Sequence, residues 1–374
     1  MSSFSGSARL AAALLGLAFG WPAFGQVRAP QIESPVVHPD RTVTFSLRAP
    51  RARQVELSAQ FLPANQPLAA DTNGVWRVTV GPVAPDLYPY AFVVDGLSVA
   101  DPANPDLFPN ERFKSSLVEI PGDRPSLHTL QDVPHGSLTY GWYPSKKLGR
   151  TRPVIVYTPP GYPQGARKYP VLYLISGTTD TEETWFRAGR ANVILDNLIA
   201  QRRAVPMVIV MPYGNMMMGT PPPTSPEAAV MYQVFSDELM GDLLPYVEAH
   251  YRVDRRREKR AIAGFSRGGG QALFAGFQRV DQFAWIGSYS AYLTPEVFER
   301  YFPRLAADPA AANRQFKLLW LGVGKTDFLH AQASAFDQYL TSKQIAHRSL
   351  VTEGGHTWMN ARHYLAETLQ LYFK

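Results

Sequence analysis

Gly264-Phe265-Ser266-Arg267-Gly268 reads G-x-S-x-G. An apolar run, 260–265, precedes it, and a glycine- and alanine-rich amphipathic stretch follows. A serine on a strand–turn–helix bend projects its hydroxyl clear of the backbone, and the bend is tight enough that its neighbours must lack bulky side chains. Gly264 and Gly268 meet that demand, while Gly269, Gly270 and Ala272 let the helix lie close on a sheet. At the helix N-terminus, backbone N–H groups and the dipole favour a developing negative charge. A phosphate-binding glycine turn is the other reading of the motif, but no Lys-Ser or Lys-Thr follows it. The expected chemistry is attack by Ser266 on an acyl carbonyl.

Such a hydroxyl needs a base, and the base needs an orienting acid. On a bend of this type the chain order is serine, acid, histidine, each at the end of a later strand. Four of the eight histidines follow Ser266. His356 lies in the glycine-rich "TEGGHTW" after the last expected strand, whereas His330 opens a helix, His347 begins a strand and His363 lies in the final helix. His356 is therefore the expected base. Asp327, in "LLWLGVGKTDFLH", follows a strongly apolar run and is the expected acid. Asp308 sits in an Ala/Pro-rich loop and Asp337 in a helix; Glu353, three residues before His356, is an alternative. The expected oxyanion donors are the backbone N–H groups of Thr178, in the loop "SGTTD" after another apolar run, and of Arg267. Trp185, Met217 and Trp358 are candidate substrate contacts; Trp185 reads equally well as core, and the Met216–Met218 run as packing in an irregular gap.

These residues must be positioned by two folded regions. From Gln26 to about Gly122, "RTVTFSLRAP", "QVELSAQF", "GVWRVTVGP" and "YPYAFVVDG" alternate apolar and polar residues between Pro, Gly, Asn and Asp turn signals. This pattern predicts a small β-sandwich over 26–122, in which Trp76 and Tyr90 read as core more readily than as sugar platforms. A proline-rich linker is expected over 123–134. Over 135–374, apolar runs at 153–158, 170–175, 206–211, 260–265, 284–290, 316–322 and 347–352 alternate with helical stretches at 191–203, 236–251, 330–343 and 363–373. Alternating strand and helix signals predict an α/β fold with a mostly parallel sheet flanked by helices. The stretch 213–232 has no clean period and is expected to be a long surface loop. Residues 1–25 combine Arg9, an apolar stretch too short to span a bilayer and the small-x-small Ala23-Phe24-Gly25, so a cleaved export leader is expected, with no stable membrane insertion afterwards.

The chain of 374 residues is 45% hydrophobic and 18% charged, an ordinary globular balance rather than that of a disordered protein. Cysteine is absent, which excludes disulfides, thiolate nucleophiles and Cys-ligated metals. The net charge of +6 is scattered apart from "DRRREKR" at 254–260, so a solvated basic turn is expected and no nucleic-acid partner.

"YPVLYLISG…ETW…PMVIVMP", "ELMGDLLPYVEAHYRV…RAIAGFSRGGGQAL", "LLWLGVGKTDFL" and "EGGHTW" together resemble the esterase D-like α/β-hydrolases, and more narrowly the family 1 carbohydrate esterases, which are feruloyl and acetylxylan esterases. The likeness covers roughly 134–374. It implies an α/β-hydrolase fold, the Ser266, Asp327 and His356 triad, and neither metal nor organic cofactor. The N-terminal region resembles the Ig-like family 48 carbohydrate-binding modules, which implies possible polysaccharide contact through that module and an esterase acting on plant cell-wall polysaccharide such as xylan; the leader makes a secreted or periplasmic location the expectation. Two positions depart from the family pattern: Ser176-Gly177 where His-Gly is usual, and Arg267 where Met is usual. Three other readings are an enterochelin-type siderophore esterase, an acyltransferase of the mycolyltransferase type, and a non-catalytic carbohydrate-binding protein.

Overall fold

The computed structural model of the chain describes residues 32–216 and 226–374; the expected leader and Met217 lie outside them. Residues 33–374 form one compact unit.

Its N-terminal part is a two-sheet sandwich. One sheet runs Val36–Val37, Val43–Arg48, Val75–Val80, Ala69–Ala70; the other runs Gln66–Pro67, Val55–Ala59, Asp86–Val94, Ser115–Ile120, Leu107–Phe108, with Leu97–Val99 paired to Asp86–Val94. Because successive side chains on a strand face opposite ways, Val43, Phe45 and Leu47 meet Tyr88, Tyr90 and Phe92 in the sandwich core. Tyr90 is buried and donates its hydroxyl to Asp101 at 2.8 Å, while half-buried Trp76 donates to the Ala49 carbonyl at 2.9 Å. The alternate residues Leu87 and Leu117 point away from that core into a cluster with Trp185 and Trp358. Arg362 fastens the same junction, donating to Asp86 at 2.6 Å and to the Ala188 carbonyl at 2.6 Å. The expected linker has no regular element but is bound down, with Asn197 Nδ2 donating to the carbonyls of Leu127 (2.8 Å) and Thr129 (3.0 Å).

The C-terminal part is built on an eight-stranded sheet: β1 (Ser137–Ser145), β2 (Arg150–Thr158), β3 (Val171–Ile175), β4 (Val208–Pro212), β5 (Arg260–Phe265), β6 (Trp285–Tyr289), β7 (Leu318–Gly324) and β8 (Arg348–Thr352). Their order is β1-β2-β4-β3-β5-β6-β7-β8; β3 to β8 are parallel, and β2 pairs antiparallel with both β1 and β4. Helices cover both faces, so the central strands are apolar throughout rather than alternating. Tyr173, Ile175 and Ile262 enter one core, and Leu172, Leu174 and Ala263 the other.

One strand lies outside the expected runs and one expectation is corrected. β1 exposes Tyr140 and Trp142 and buries only Tyr143 and Ser145, the weak pattern of an edge strand. The expected loop 213–232 gives way at Pro226 to a helix, Pro226–Glu238, since proline is tolerated where a first-turn N–H has no intrahelical partner. That helix widens into a π turn, Leu239–Leu243, and continues as Leu244–His250. Pro245 offers no N–H to the carbonyl four residues back, and the ring needs room there. The basic turn at 254–260 is paired within itself and with the preceding helix: Arg256 with Asp254 at 2.6 Å, Arg255 and Arg260 with Glu248 at 3.2 and 2.6 Å. Among the described residues no helix is long and apolar enough to cross a membrane.

Candidate active site

Ser266 is the single residue between β5 and the helix Arg267–Gln278, at φ 55° and ψ −124°. A side chain rarely adopts that backbone, and it is held here by bonds on either side of the residue. The Ser266 N–H donates to the Tyr289 carbonyl at 2.8 Å, and the Ser266 carbonyl accepts from Gly269 at 2.9 Å. The turn closes so far that a Cβ on Gly264 would lie 2.3 Å from the Gly268 carbonyl carbon, and one on Gly268 would lie 2.3 Å from the Ile175 carbonyl oxygen. The glycines of the motif are therefore steric requirements of the bend. Ser266 itself is half-buried at the carboxyl edge of the sheet, where open α/β sheets place their sites.

Asp327 follows β7 and His356 follows β8, on the same edge. The His356 ring directs Nδ1 at both carboxylate oxygens of Asp327, at 2.9 and 3.0 Å. Burial would raise the Asp327 carboxyl, but hydrogen bonds from His356 and from the Leu329 N–H (2.8 Å), with the His356 charge, hold it below the usual 3.8. The histidine loop is fixed from beneath: Asn360 Nδ2 donates to the Glu353 carbonyl at 2.8 Å, Thr357 caps the helix Trp358–Leu369, and the Gly354 carbonyl accepts from Thr326 at 3.0 Å. Phe265, the residue before Ser266, packs at a tilt against the His356 ring with centroids 4.7 Å apart, and exposed Phe328 does so at 4.4 Å. Among the described residues no hydrogen bond joins the Ser266 hydroxyl to the imidazole. Such bonds are commonly loose without substrate and tighten in the complex.

The other candidates have other work. Glu353 is exposed and paired with Lys325; Asp308 caps the helix Pro309–Gln315; His347 and Asp337 pair at 2.9 Å; His363 is exposed. The loop after β3 lies against the serine, since a Cβ on Gly177 would sit 3.4 Å from Ser266 Cβ. Within that loop Thr178 is exposed, Ser176 ties the turn by donating to the Thr181 carbonyl at 2.8 Å, and Asp180 accepts from the Gly177 N–H at 3.1 Å. The Arg267 N–H is in the first turn of its helix, where amides have no intrahelical acceptor.

Trp185 and Trp358, expected as substrate contacts, are corrected. Both rings are buried, packed edge to face at 4.8 Å, and Trp358 lies 5.3 Å from Phe265, so they form the apolar bed beneath the bend. Large aromatics bury most area when surrounded, and position next to a loop does not make them a wall. Sequence reasoning missed Phe328, Asp180, and the Asn110-Glu111 tip of the sandwich, which reaches this loop. The hydrophobicity of Phe328 beside Asp327 was the only available signal. Among the described residues no group of three or more His, Asp or Glu side chains is arranged to hold a metal ion.

A family model described as "Putative esterase" matches residues 145–372. The chain belongs to this esterase family. The chain is 28% identical over 356 residues to an endo-1,4-beta-xylanase/feruloyl esterase of Xylanibacter ruminicola, covering 92% of this chain and 46% of that protein; it thus spans about half the length of this curated relative. A ferulic acid esterase structure from Anaeromyces mucronatus superposes with TM-score 0.55 at 26% identity, over 67% of this chain and 96% of that one. The enterobactin esterase of Shigella flexneri shares the fold more extensively, with TM-score 0.62 over 88% of this chain and 93% of that one, at 19% identity. The α/β-hydrolase fold and the family 1 carbohydrate-esterase likeness expected from sequence are borne out.

Proposed function

We propose that this esterase hydrolyses a carboxylic ester on plant cell-wall polysaccharide, removing a feruloyl or acetyl group from a chain such as arabinoxylan. The observation that carries the reading is the His356–Asp327 pair on the edge where a strained turn holds Ser266. Ser266 Oγ attacks the ester carbonyl while His356 Nε2 takes its proton, and Asp327 holds Nδ1–H and stabilises the imidazolium. The Thr178 and Arg267 amides receive the oxyanion. His356 returns the proton to the leaving sugar hydroxyl, and water, deprotonated by the same ring, releases the acid from the acyl-serine. Every proton and acyl group is handled by these residues and water.

Three features support the feruloyl preference. The curated relative carries that name, the superposing structure is a ferulic acid esterase, and Phe328 presents an exposed ring beside His356. A cleft of about 330 Å³ beside the loop after β3, lined by Leu107 and Lys114 of the sandwich and by Glu182, Glu183 and Arg187, supports a binding path for the sugar chain. Neighbouring apolar and charged groups of this kind suit a sugar, which has both C–H faces and hydroxyls. Residues 1–25 would export the enzyme, which detection of the processed chain outside the cytoplasm would test.

The Shigella likeness also covers the sandwich, so a catecholate trilactone is the rival substrate. Methyl ferulate, feruloylated arabino-oligosaccharide, aryl acetate, acetylated xylan and a catecholate trilactone, offered in parallel, decide between them. Preference for the feruloylated sugar is expected, and exclusive trilactone cleavage overturns it. Ester products on added sugar acceptors would instead mark an acyltransferase, and polysaccharide binding without cleavage a non-catalytic module. Ser266→Ala should lower kcat on an aryl ester by at least about 10⁴-fold with the fold intact, and near-normal turnover would remove Ser266 from the mechanism.

A further inference from the structure

The tip of the sandwich pairs with the loop after β3. Asn110 and Asp180 form an antiparallel bridge, and the Glu111 N–H donates to the Thr179 carbonyl at 2.7 Å. Asn110 Nδ2 donates to Thr179 Oγ1 at 3.0 Å and to Asp180 Oδ1 at 3.3 Å. The tip is itself anchored, since the Glu111 carboxylate accepts from Asn215 Nδ2 at 2.8 and 2.9 Å and from the Tyr213 hydroxyl in the loop after β4. Thr179, at the centre, has φ 63°, a conformation that only surrounding bonds hold in a threonine.

From the helix side, Arg267 Nη2 donates to the Gly177 carbonyl at 2.7 Å. Gly177 is therefore gripped at both backbone groups, its N–H by Asp180 and its carbonyl by Arg267. The guanidinium is buried, and among the described residues its Nε and Nη1 have no hydrogen-bond partner. An arginine in the interior is costly unless its charge is balanced. Burial lowers its pKa, and the nearby charges of Asp180 and Glu111 oppose that shift. Among the described residues its one directed bond goes to the loop.

We propose that Arg267, Asp180 and Asn110 are positioning residues that set the Thr178 amide at the oxyanion, making the sandwich tip a working part of the esterase site. This rests on the assignment of Ser266 and the oxyanion donors above. Oxyanion donors act within a few tenths of an ångström, so release of the loop weakens the transition state far more than substrate binding.

The test compares Asn110→Ala, Arg267→Met and Arg267→Lys with Tyr90→Phe, which removes a buried hydroxyl from the sandwich core away from the loop. Aryl acetate turnover, inhibition by phenylboronic acid, which forms a tetrahedral adduct on a serine, and melting temperature are read for each. Asn110→Ala is expected to lower kcat about 10-fold and Arg267→Met about 30- to 100-fold, with KM within about twofold and boronate affinity falling in step with kcat. Arg267→Lys, which keeps a donor for the Gly177 carbonyl, should recover part of the loss, and Tyr90→Phe should melt earlier with kcat unchanged. If Asn110→Ala and Arg267→Met melt earlier but keep wild-type kcat and boronate affinity, the residues only hold the fold and the proposal is overturned. An active Ser266→Ala variant would instead reject the underlying serine assignment.

Discussion

Asp327 and Asp180 lie in loops leaving the same edge of one sheet, after β7 and β3, and both are buried. Their acidities are pushed in opposite directions. At Asp327 burial is outweighed by direct hydrogen bonds from an imidazole and a backbone amide, and the carboxyl stays below its usual 3.8. At Asp180 burial prevails over Arg267, the Gly177 N–H and Asn110, and the carboxyl rises to about 7. The distinction is where the cation spends its hydrogen bonds. His356 spends Nδ1 on Asp327, whereas Arg267 spends Nη2 on a peptide carbonyl and reaches Asp180 only through space. An acid bonded to a proton-accepting ring can orient it through a reaction cycle; an acid bonded to backbone shapes a loop.

Substitution gives the sharpest separation. Asp327→Asn should lower kcat on an aryl acetate by about 10⁴-fold, because the amide stabilises the wrong tautomer and no imidazolium charge. Asp180→Asn keeps an acceptor for the Gly177 N–H and should lose no more than about 10-fold. Equal losses would erase the contrast.

Stability against pH comes next, and the signs differ. Asp327 contributes stability above the unfolded value of 3.8 that is lost as pH falls through its lowered native value. Asp180 does the reverse: between 3.8 and about 7 the unfolded chain gives up this proton while the native protein keeps it, so stability declines as pH rises through that window. The slope from this group is at most about 1.4 kcal/mol per pH unit, and Asp180→Asn should abolish it. Urea unfolding of both proteins at pH 5 and pH 8 reads the difference, and a gap that does not change with pH would refute the assignment.

Smaller effects bound the site. Phe328→Ala should raise KM for methyl ferulate about 5-fold while leaving aryl acetate nearly unchanged, the size of a lost aromatic contact. His347→Ala is the control on the comparison itself. The His347–Asp337 pair has the same chemistry and a 2.9 Å bond, but His347 Nδ1 is also occupied by the Ile345 carbonyl at 2.8 Å. That variant should keep wild-type kcat and lose about 1 kcal/mol of stability.

The amino-acid sequence by itself determined the bend, the alternation of strands and helices around it and the strand ends that carry Asp327 and His356. Those depend on local rules: which residues fit a closed turn, how apolar residues repeat, and how chain order maps onto a parallel sheet. β1 was hidden because an edge strand with Tyr140 and Trp142 in water and only Tyr143 and Ser145 buried carries a weak pattern. The helix at Pro226 was hidden because its apolar positions face a core assembled from distant segments. Nor could the rings of Trp185 and Trp358 be placed, since neighbours far apart in the chain decide whether a ring is wall or bed. Tertiary structure alone decided that Arg267 turns its guanidinium to Gly177, that Asp180 is shut away from water, and that Asn110, about seventy residues earlier, lands on the same loop. The reason is physical: the direction of a long polar side chain, and the cost of burying it, depend on the packed surroundings and not on the residues beside it in the chain.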